Sequence, residues 1–403
     1  MINLIKSFTE LSDTERKARG LDHTPREILQ QPMMWLETRE VMVAKAKEIK
    51  AILADADKDH QIILTGAGTS EFAGLSLENL FNKLPGCEAK SVATTSILTD
   101  PEAVFRVGKK YILVHFARSG NSPESVAVFK LAQQSQADVK HIVITCNPKG
   151  KLVAIAKEAM ALTIILPEET HDQGLAMTSS FSSMVVAGQC LATMDSLEQT
   201  TDIIEKAAQA AEAVMESYSD ALASVCGLDF HRAVFLGSNT LAACAKECHL
   251  KLQEMTNGMV VGKYDTFLGL RHGPEVVIDD NTLIVYLLSE DRWVRKHEMD
   301  MVAGIDAKGK GLRRIAICKK ANHQLRSQCD LVIEHNTEGI PDEFLTPVYV
   351  LVGQILGLFK SLNFKLKPDA PSPDNVISRV VQGVTIYDKS TYDLHSEFKA
   401  VLE

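Results

Sequence analysis

The first half of the chain contains a hydroxyl-rich loop that could bind an anion. The segment HFARSGNSPES contains Arg118, Ser119, Gly120, Asn121 and Ser122. Gly120 allows a sharp backbone turn, and Ser122 is a suitable cap for a helix that begins at Pro123. Because the free amides at the start of a helix carry partial positive charge, they and the neighbouring hydroxyls can hold a phosphate.

A second loop of the first half has the same character. GAGTSE follows an apolar run and adds Thr69 and Ser70. It is not a dinucleotide-binding fingerprint, because Glu71 occupies the third glycine position. Each loop alone is most often an ordinary strand-to-helix turn, but two hydroxyl-rich loops in one domain favour a phosphate site.

The second half contains groups that could transfer protons. In the helical stretch AKECHLKLQEMTNG, Glu247, Lys251 and Glu254 fall on one face. The RHGPE segment that follows adds His272. Taken alone, such a face is usually a solvated salt-bridged surface, and such a histidine usually lies in a surface loop. A positioned carboxylate and an imidazole are nevertheless the groups that enzymes use for general acid–base chemistry.

Short apolar runs that alternate with helical patterns are typical of parallel βαβ construction. The predicted strands are Gln61–Thr65, Tyr111–Ala117, His141–Cys146 and Ala161–Leu166 in the first half, and Ala233–Leu236, Thr282–Leu288, Arg314–Cys318 and Asp330–Glu334 in the second. Corresponding runs lie at a nearly constant spacing, and the first run of each half leads into a related turn, GAGTS or GSNTL. We therefore predict an α/β fold with two tandem, doubly wound parallel sheets flanked by helices, which bind ligands at the carboxyl ends of their strands.

The pattern divides the chain into four regions. Residues 1–50 are expected to form an N-terminal helical extension, in which Thr24 caps one helix. Residues 51–200 form the first α/β domain and residues 201–365 the second. Residues 366–403 are rich in proline at their start and are expected to form an extended tail over the surface or a neighbouring active site.

Composition excludes several classes of function. The net charge is −9, and no Lys/Arg cluster resembles a nucleic-acid-binding surface. No apolar run reaches the roughly 18 residues of a transmembrane helix, and the N-terminus lacks a secretory signal. Cys244, Cys248 and His249 lack the second ligand cluster that a metal site needs, and the cysteines form no CxxC pair. We therefore expect a cytoplasmic protein with reduced thiols and without nucleic-acid partner, membrane contact, metal or organic cofactor.

Three segments resemble the sugar-phosphate cradle of SIS (sugar isomerase) domains. They are GAGTS, the loop that begins at Ala117, and the TCN sequence that follows the next predicted strand. The resemblance implies that Ser70, Ser119 and Ser122 hold the phosphate of a sugar. Ala117 stands where double-SIS synthases usually carry Ser, so one phosphate contact is either lost or replaced by a contact with Arg118.

The remaining motifs are similar to the isomerase half of glutamine:fructose-6-phosphate amidotransferases. The GLAMTSSF segment resembles their substrate-lining stretch, which implies that Ala176 and Thr178 line the sugar. The likeness further implies that Glu254 moves a proton between C1 and C2 and that His272 of a neighbouring subunit opens the sugar ring. Glu247 and the lysine four residues after it would support these groups.

Longer segments resemble the AgaS-type proteins, which are described as galactosamine-6-phosphate deaminases and as tagatose-6-phosphate ketose/aldose isomerases. They are PEETHDQGLAMTSSFSSM, FLGLRHGPEVVI and SRVVQGV. This likeness implies that a phosphorylated amino sugar, galactosamine 6-phosphate, is converted to tagatose 6-phosphate and ammonia. Glu275 is our candidate for activating the hydrolytic water, and Arg271 and Arg379 are expected to contact the substrate. The family's shared active site implies a homodimer or a higher homo-oligomer.

Three alternatives stay open at this point. A plain tagatose-6-phosphate isomerase would use the same Glu254 and His272 without loss of an amine. A deglycase of fructosamine-type phosphates is the second alternative. A non-catalytic sugar-phosphate sensor is the third, although the chain shows no DNA-binding module of the kind that usually accompanies such sensors.

Overall fold

The computed structural model describes residues 3–54, 60–374, 376–381 and 383–387. Five helices precede the first strand: α1 (Leu4–Thr9), α2 (Asp13–Arg19), α3 (Thr24–Leu29), α4 (Gln31–Ala44) and α5 (Ala46–Ala54). Thr24 is the first residue of α3 and His23 is its cap, so the predicted capping role of Thr24 is wrong. The reason is that the Thr24 amide and hydroxyl donate to Asp369 Oδ1, each at 2.7 Å.

The first sheet has five parallel strands in the order β2-β1-β3-β4-β5. They are β1 (His60–Thr65), β2 (Glu88–Ser91), β3 (Lys110–Ala117), β4 (Asp138–Thr145) and β5 (Leu162–Ile165). The accompanying helices are α6 (Thr69–Asn82), α7 (Thr94–Thr99), α8 (Pro101–Val104), α9 (Pro123–Gln134), α10 (Lys151–Glu158) and α11 (Ser179–Ala192). The sequence pattern predicts four of these strands and misses β2, an edge strand in which only Ala89 is buried.

The second sheet repeats this topology after the long helix α12 (Leu197–Cys226). Its order is β10-β9-β8-β6-β7, built from β6 (Arg232–Gly237), β7 (Val261–Asp265), β8 (Thr282–Leu287), β9 (Arg313–Cys318) and β10 (Leu331–Glu334). The helices of this half are α13 (Thr240–Met255), α14 (Phe267–Leu270), α15 (Arg292–Ala307), α16 (His323–Gln328) and α17 (Thr346–Asn363). Short 3₁₀ turns lie at Glu168–Thr170, Met194–Ser196, Pro274–Val277 and Asp342–Phe344. The prediction of two doubly wound parallel-sheet domains is confirmed.

One apolar core joins the two halves. Ile62 and Val285, from the two sheets, belong to the same buried cluster, and α17 is buried from Thr346 to Ser361. Helix α6 of the first half packs against α13 of the second. The fold therefore brings the start of α6 beside the helix that carries Glu247, Lys251 and Glu254.

Two kinds of feature are absent from the part of the chain that the structure describes. No helix among these residues is long and apolar enough to cross a bilayer. In the same ranges no group of three or more metal-ligating side chains converges. Cys244 and Cys248 are buried free thiols whose sulfurs face backbone carbonyls of α17. They are part of the hydrophobic core.

Candidate active site

The two hydroxyl-rich loops meet at the switch point of the first sheet, where β1 and β3 are neighbours. Sheets of this strand order bind ligands in the crevice that opens there. Gly66 is required in the first loop because a Cβ would lie 2.5 Å from the Ser70 carbonyl carbon. Gly68 adopts a φ of 56° and precedes Thr69, the first residue of α6. Thr69 and Ser70 are both buried at the mouth of this crevice.

The second loop is held in shape by its own polar groups. Gly120 has a φ of 64°, and Asn121 Oδ1 accepts from the Lys151 amide at 3.1 Å. The Asn121 amide donates to Ser119 Oγ at 3.2 Å. Among the described residues, the amides of Ser119 and Gly120 have no hydrogen-bond partner, which leaves them available to a phosphate.

Ser122 differs from its predicted capping role. It occupies the N-cap position of α9, with Pro123 as the first helical residue, as the sequence predicts. Its hydroxyl, however, donates to Glu124 Oε2 at 2.6 Å and makes no cap hydrogen bond. The first-turn amides of α9 are therefore not satisfied by this side chain.

Arg118 is oriented away from the role of phosphate ligand that the sequence resemblance implies. Its terminal nitrogens donate to the carbonyl oxygens of Gly174 (3.3 Å), Leu175 (3.0 Å) and Arg379. Arg379 in turn donates from Nε to the Asp172 carbonyl at 2.8 Å. Both guanidinium groups thus bind backbone next to the crevice, and they hold the tail against the first domain.

Glu247, Lys251 and Glu254 form a buried cluster on α13. Lys251 Nζ lies 3.0 Å from Glu247 Oε1 and 3.0 Å from Thr69 Oγ1, and it also contacts Glu254 Oε1. The side chains of Glu247 and Lys251 are essentially inaccessible, whereas that of Glu254 is 17% exposed. The face is therefore not a solvated stripe, and Glu254 is the member of the cluster that a substrate can reach.

The charges of this cluster are unequal. Burial raises the pKa of Glu247 to about 8, against the opposing effect of Lys251. Burial alone would lower the pKa of Lys251, but attraction to Glu247 and Glu254 outweighs it and raises that pKa. At neutral pH the cluster thus holds the Lys251 ammonium beside a largely protonated Glu247 carboxyl. Glu247 Oε2 is buried without a partner in the described part of the chain.

His272 lies in a separate loop of the second half. It is exposed beside Gly273, whose φ is 112°. Within the described chain, the ring of His272 makes no hydrogen bond or ion pair with Glu247, Lys251 or Glu254. A single chain therefore leaves His272 outside the cluster that contains Glu254.

The two charged neighbours of His272 are paired locally. Arg271 forms an ion pair with Asp300 at 2.7 Å. Glu275 forms one with Lys308. Neither pair includes a member of the Glu254 cluster.

The segment that is expected to line the sugar follows the first sheet. Ala176 and Thr178 are buried, and Thr178 donates to Asp172 from its amide (2.8 Å) and its hydroxyl (3.2 Å). Asp172 also accepts from Ser179 and Ser180, the first residues of α11. Sequence reasoning overlooked this aspartate, whose only signal is its position in the HDQG stretch before a helix start.

Comparison with known proteins identifies the family of this chain. The SIS domain model matches residues 56–194 and 229–356. The chain belongs to the SIS-domain family. It is 32% identical, over 96% of its length and 95% of the relative's, to the D-galactosamine-6-phosphate deaminase AgaS of Shewanella sp. (strain ANA-3). An Escherichia coli protein of the same name is 32% identical over 90% of this chain and 95% of its own.

Solved structures of SIS proteins share the whole architecture. The tagatose-6-phosphate ketose/aldose isomerase from Escherichia coli superposes with a TM-score of 0.84 and 30% identity, covering 91% of this chain and 96% of that one. The likeness to double-SIS proteins of the AgaS type is thus confirmed, and it extends through both sheets. It includes the crevice between β1 and β3 and the helix that carries the buried cluster.

Proposed function

We propose that this SIS protein converts galactosamine 6-phosphate and water to tagatose 6-phosphate and ammonia in amino-sugar catabolism. The observation that carries the proposal is the contact of Lys251 with Thr69. It joins the first hydroxyl-rich loop, GAGTS, to the buried cluster of Glu247, Lys251 and Glu254. The names of the 32%-identical relatives, over most of both chains, support the same reaction.

The substrate's phosphate would anchor it in the first domain. The unpartnered amides of Ser119 and Gly120, with the hydroxyls of Ser70 and Ser119, supply the donors for this anion, and the Ser122 hydroxyl would have to leave Glu124 to join them. Binding energy at the phosphate then positions C1 and C2 of the sugar beside Thr69 and Glu254.

Proton transfer would fall to Glu254. It removes the C2 proton and returns a proton to C1 through an enolamine, which leaves an imine at C2. Water adds to this imine, ammonia leaves, and the C2 ketone of tagatose 6-phosphate remains. Lys251 orients the Glu254 side chain, and Glu247 is a second, largely neutral partner of Lys251.

Ring opening and water activation require residues of the loop that holds His272. We propose that His272 reaches the Glu254 cluster of a second copy in a homodimer, because it has no partner in that cluster within its own chain. Glu275 remains our candidate for activating water and would have to leave its ion pair with Lys308. Arg118 and Arg379 bind backbone in the free protein, and we assign them to shaping the crevice.

The first experiment is ammonia release from galactosamine 6-phosphate, with glucosamine 6-phosphate in parallel. Ammonia from the galacto epimer alone would support both the reaction and its stereochemistry. No ammonia from either would exclude the deaminase. A tagatose-6-phosphate isomerase is the second candidate, favoured by the name of the 30%-identical Escherichia coli structure, and aldose formation from tagatose 6-phosphate tests it.

Subunit sharing has its own test. Glu254→Gln and His272→Ala are each expected to be folded and inactive. If the two residues act across a dimer, half of the dimers in an equal mixture are mixed, and each mixed dimer regains one intact site. About a quarter of wild-type activity should then return on re-association. An inactive mixture of verified hetero-dimers would place His272 in the site of its own chain.

A further inference from the structure

The backbone of the loop at residues 172–178, which is proposed to line the sugar, is hydrogen-bonded by side chains from several parts of the chain. Arg118 and Arg379 bind its carbonyl oxygens at Asp172, Gly174 and Leu175. These contacts come from the first domain and from the tail. They satisfy three carbonyl oxygens of the loop but leave its amides to be paired elsewhere.

The amides of the loop are bound by the N-terminal extension. Glu27, on α3, accepts the amide hydrogens of Gln173 and Gly174, the latter at 3.2 Å from Oε1 and 3.3 Å from Oε2. Only 6% of Glu27 is exposed. A buried carboxyl side chain is costly unless it is hydrogen-bonded, so its placement against these two amides is a specific contact and not a solvated surface charge.

Further contacts fix Glu27 relative to the loop. Thr24, on the same helix, donates to Asp369 Oδ1, and the Leu175 amide donates to the Asp369 carbonyl at 3.0 Å. Helix α3, the loop and the start of the tail therefore form one hydrogen-bonded unit. Gly174 approaches Glu27 so closely that an added Cβ would lie 2.9 Å from its Oε2 and 3.0 Å from Thr24 Oγ1.

We propose that Glu27 is a positioning residue for sugar recognition. It holds the backbone of residues 173–174, and thereby Ala176 and Thr178, in the conformation that receives the sugar of the bound phosphosugar. This inference rests on the proposed function for the identity of the sugar phosphate, and it gives the N-terminal helices a role in the active site. Among the described residues, the Glu27 carboxyl bonds to Gln173 and Gly174 and makes no hydrogen bond with the hydroxyl-rich loops or the Glu254 cluster.

The test separates sugar affinity from phosphate affinity. Glu27→Ala should weaken binding of galactosamine 6-phosphate about tenfold or more, because two buried amides lose their acceptor. Binding of inorganic phosphate should stay within twofold, because the phosphate cradle is separate. In turnover, the loss should appear mainly in KM and much less in kcat. Both affinities can be measured by calorimetry on the full-length protein.

Two variants distinguish positioning from a general loss of folding. Burial, followed by repulsion from Asp172, raises the pKa of Glu27 to about 8, so Glu27→Gln preserves both the neutral charge and the acceptor and should restore near-wild-type sugar affinity. Gly174→Ala disturbs the same contact from the loop side and should reproduce the alanine effect without removing Glu27. Glu37→Ala, at an exposed site on α4, is the matched control and should change neither affinity.

Each result has a defined meaning. Wild-type sugar affinity in folded Glu27→Ala and Gly174→Ala proteins would overturn the proposal, as would equal weakening for the sugar phosphate and for inorganic phosphate. If Glu27→Ala does not fold, the sugar and phosphate affinities of Glu27→Gln and Gly174→Ala test the proposal by the same criteria. A wild-type protein that binds galactosamine 6-phosphate but releases no ammonia would refute only the proposed reaction, and one that does not bind it would refute both.

Discussion

Replacement of Lys251 by Met is expected to be the most damaging single change in the buried cluster. Lys251 is buried between Glu247, Glu254 and Thr69. Met has a similar length and no charge, so Lys251→Met removes the ammonium without leaving a large cavity. Glu254 would then lose its cationic partner, and the Thr69 hydroxyl would lose a donor.

The magnitude follows from the burial of the pair. Removal of one partner of a buried ion pair costs about 3–5 kcal/mol, because the other charge is left uncompensated. For domains of this size, each 1 kcal/mol of lost stability lowers the Tm by roughly 2–4 °C. The loss expected for Lys251→Met should therefore lower the Tm by about 10 °C. Glu247→Gln should not lower the stability at pH 7, because the pKa of Glu247 is about 8, its carboxyl is already largely protonated in the folded chain, and Gln needs no such proton uptake.

The comparison is made by urea unfolding at pH 7 with ammonia release measured in parallel. Lys251→Met should lose both stability and turnover, whereas Glu247→Gln should keep most of its stability. Lys157→Met, at an exposed position of α10, controls for the removal of a lysine as such. Equal destabilisation by Lys251→Met and Lys157→Met would refute the reasoning, because the cluster would then not depend on its ammonium.

Three further predictions concern pH and the phosphate loop. Burial lowers the pKa of both His115 and His141, the latter to about 4, so the unfolded chain takes up protons that the folded chain does not. Stability measured by urea titration should therefore fall between pH 6.5 and 4, by up to about 3 kcal/mol for His141, and His141→Phe should reduce this loss. Burial raises the pKa of Glu247 from 4.5 to about 8, so the folded chain keeps a proton that the unfolded chain releases. Stability should therefore decline as the pH rises from 4.5 to about 8, and Glu247→Gln should flatten that decline. Gly66→Ala places a Cβ 2.5 Å from the Ser70 carbonyl carbon, and calorimetry should show at least a tenfold loss of affinity for inorganic phosphate.

The sequence predicts those parts of the fold that leave a local pattern. Eight strands are predicted within a few residues because each carries a short apolar run; six of them are interior strands, which are apolar throughout in parallel sheets. Two of the four edge strands, β2 and β7, are missed. Val261 and Tyr264 of β7 are exposed, and β2 buries only Ala89, so hydrogen bonding to β6 and β1 and not hydrophobicity defines them.

The site shows a similar division between local and long-range information. The turns at Gly66 and Gly120 are evident from the sequence, because glycine and hydroxyl residues mark a strand-to-helix turn. The orientation of Arg118 is not, because its carbonyl partners lie about 56 and 261 residues away along the chain. Glu27 is overlooked for the same reason, since in sequence it is an ordinary acidic residue in the first turn of a helix.

The two halves share one topology but have diverged at the switch point of their sheets. In the second half, the amides that follow β8 are already occupied: Ser289 donates to Glu298 Oε2 at 2.9 Å, and Glu290 donates to Asp342 Oδ1 at 2.7 Å. The equivalent amides of the first half, in the loop after β3, have no partner among the described residues. Burial also raises the pKa of Glu298 to about 7, which reflects how tightly its carboxyl is enclosed. A phosphate in the second crevice would have to displace two carboxyl groups that are already bonded to its would-be donors. Among the described residues, the second crevice therefore lacks the free amides that the first one offers, and we infer that the second half contributes the helix with Lys251 and Glu254 instead.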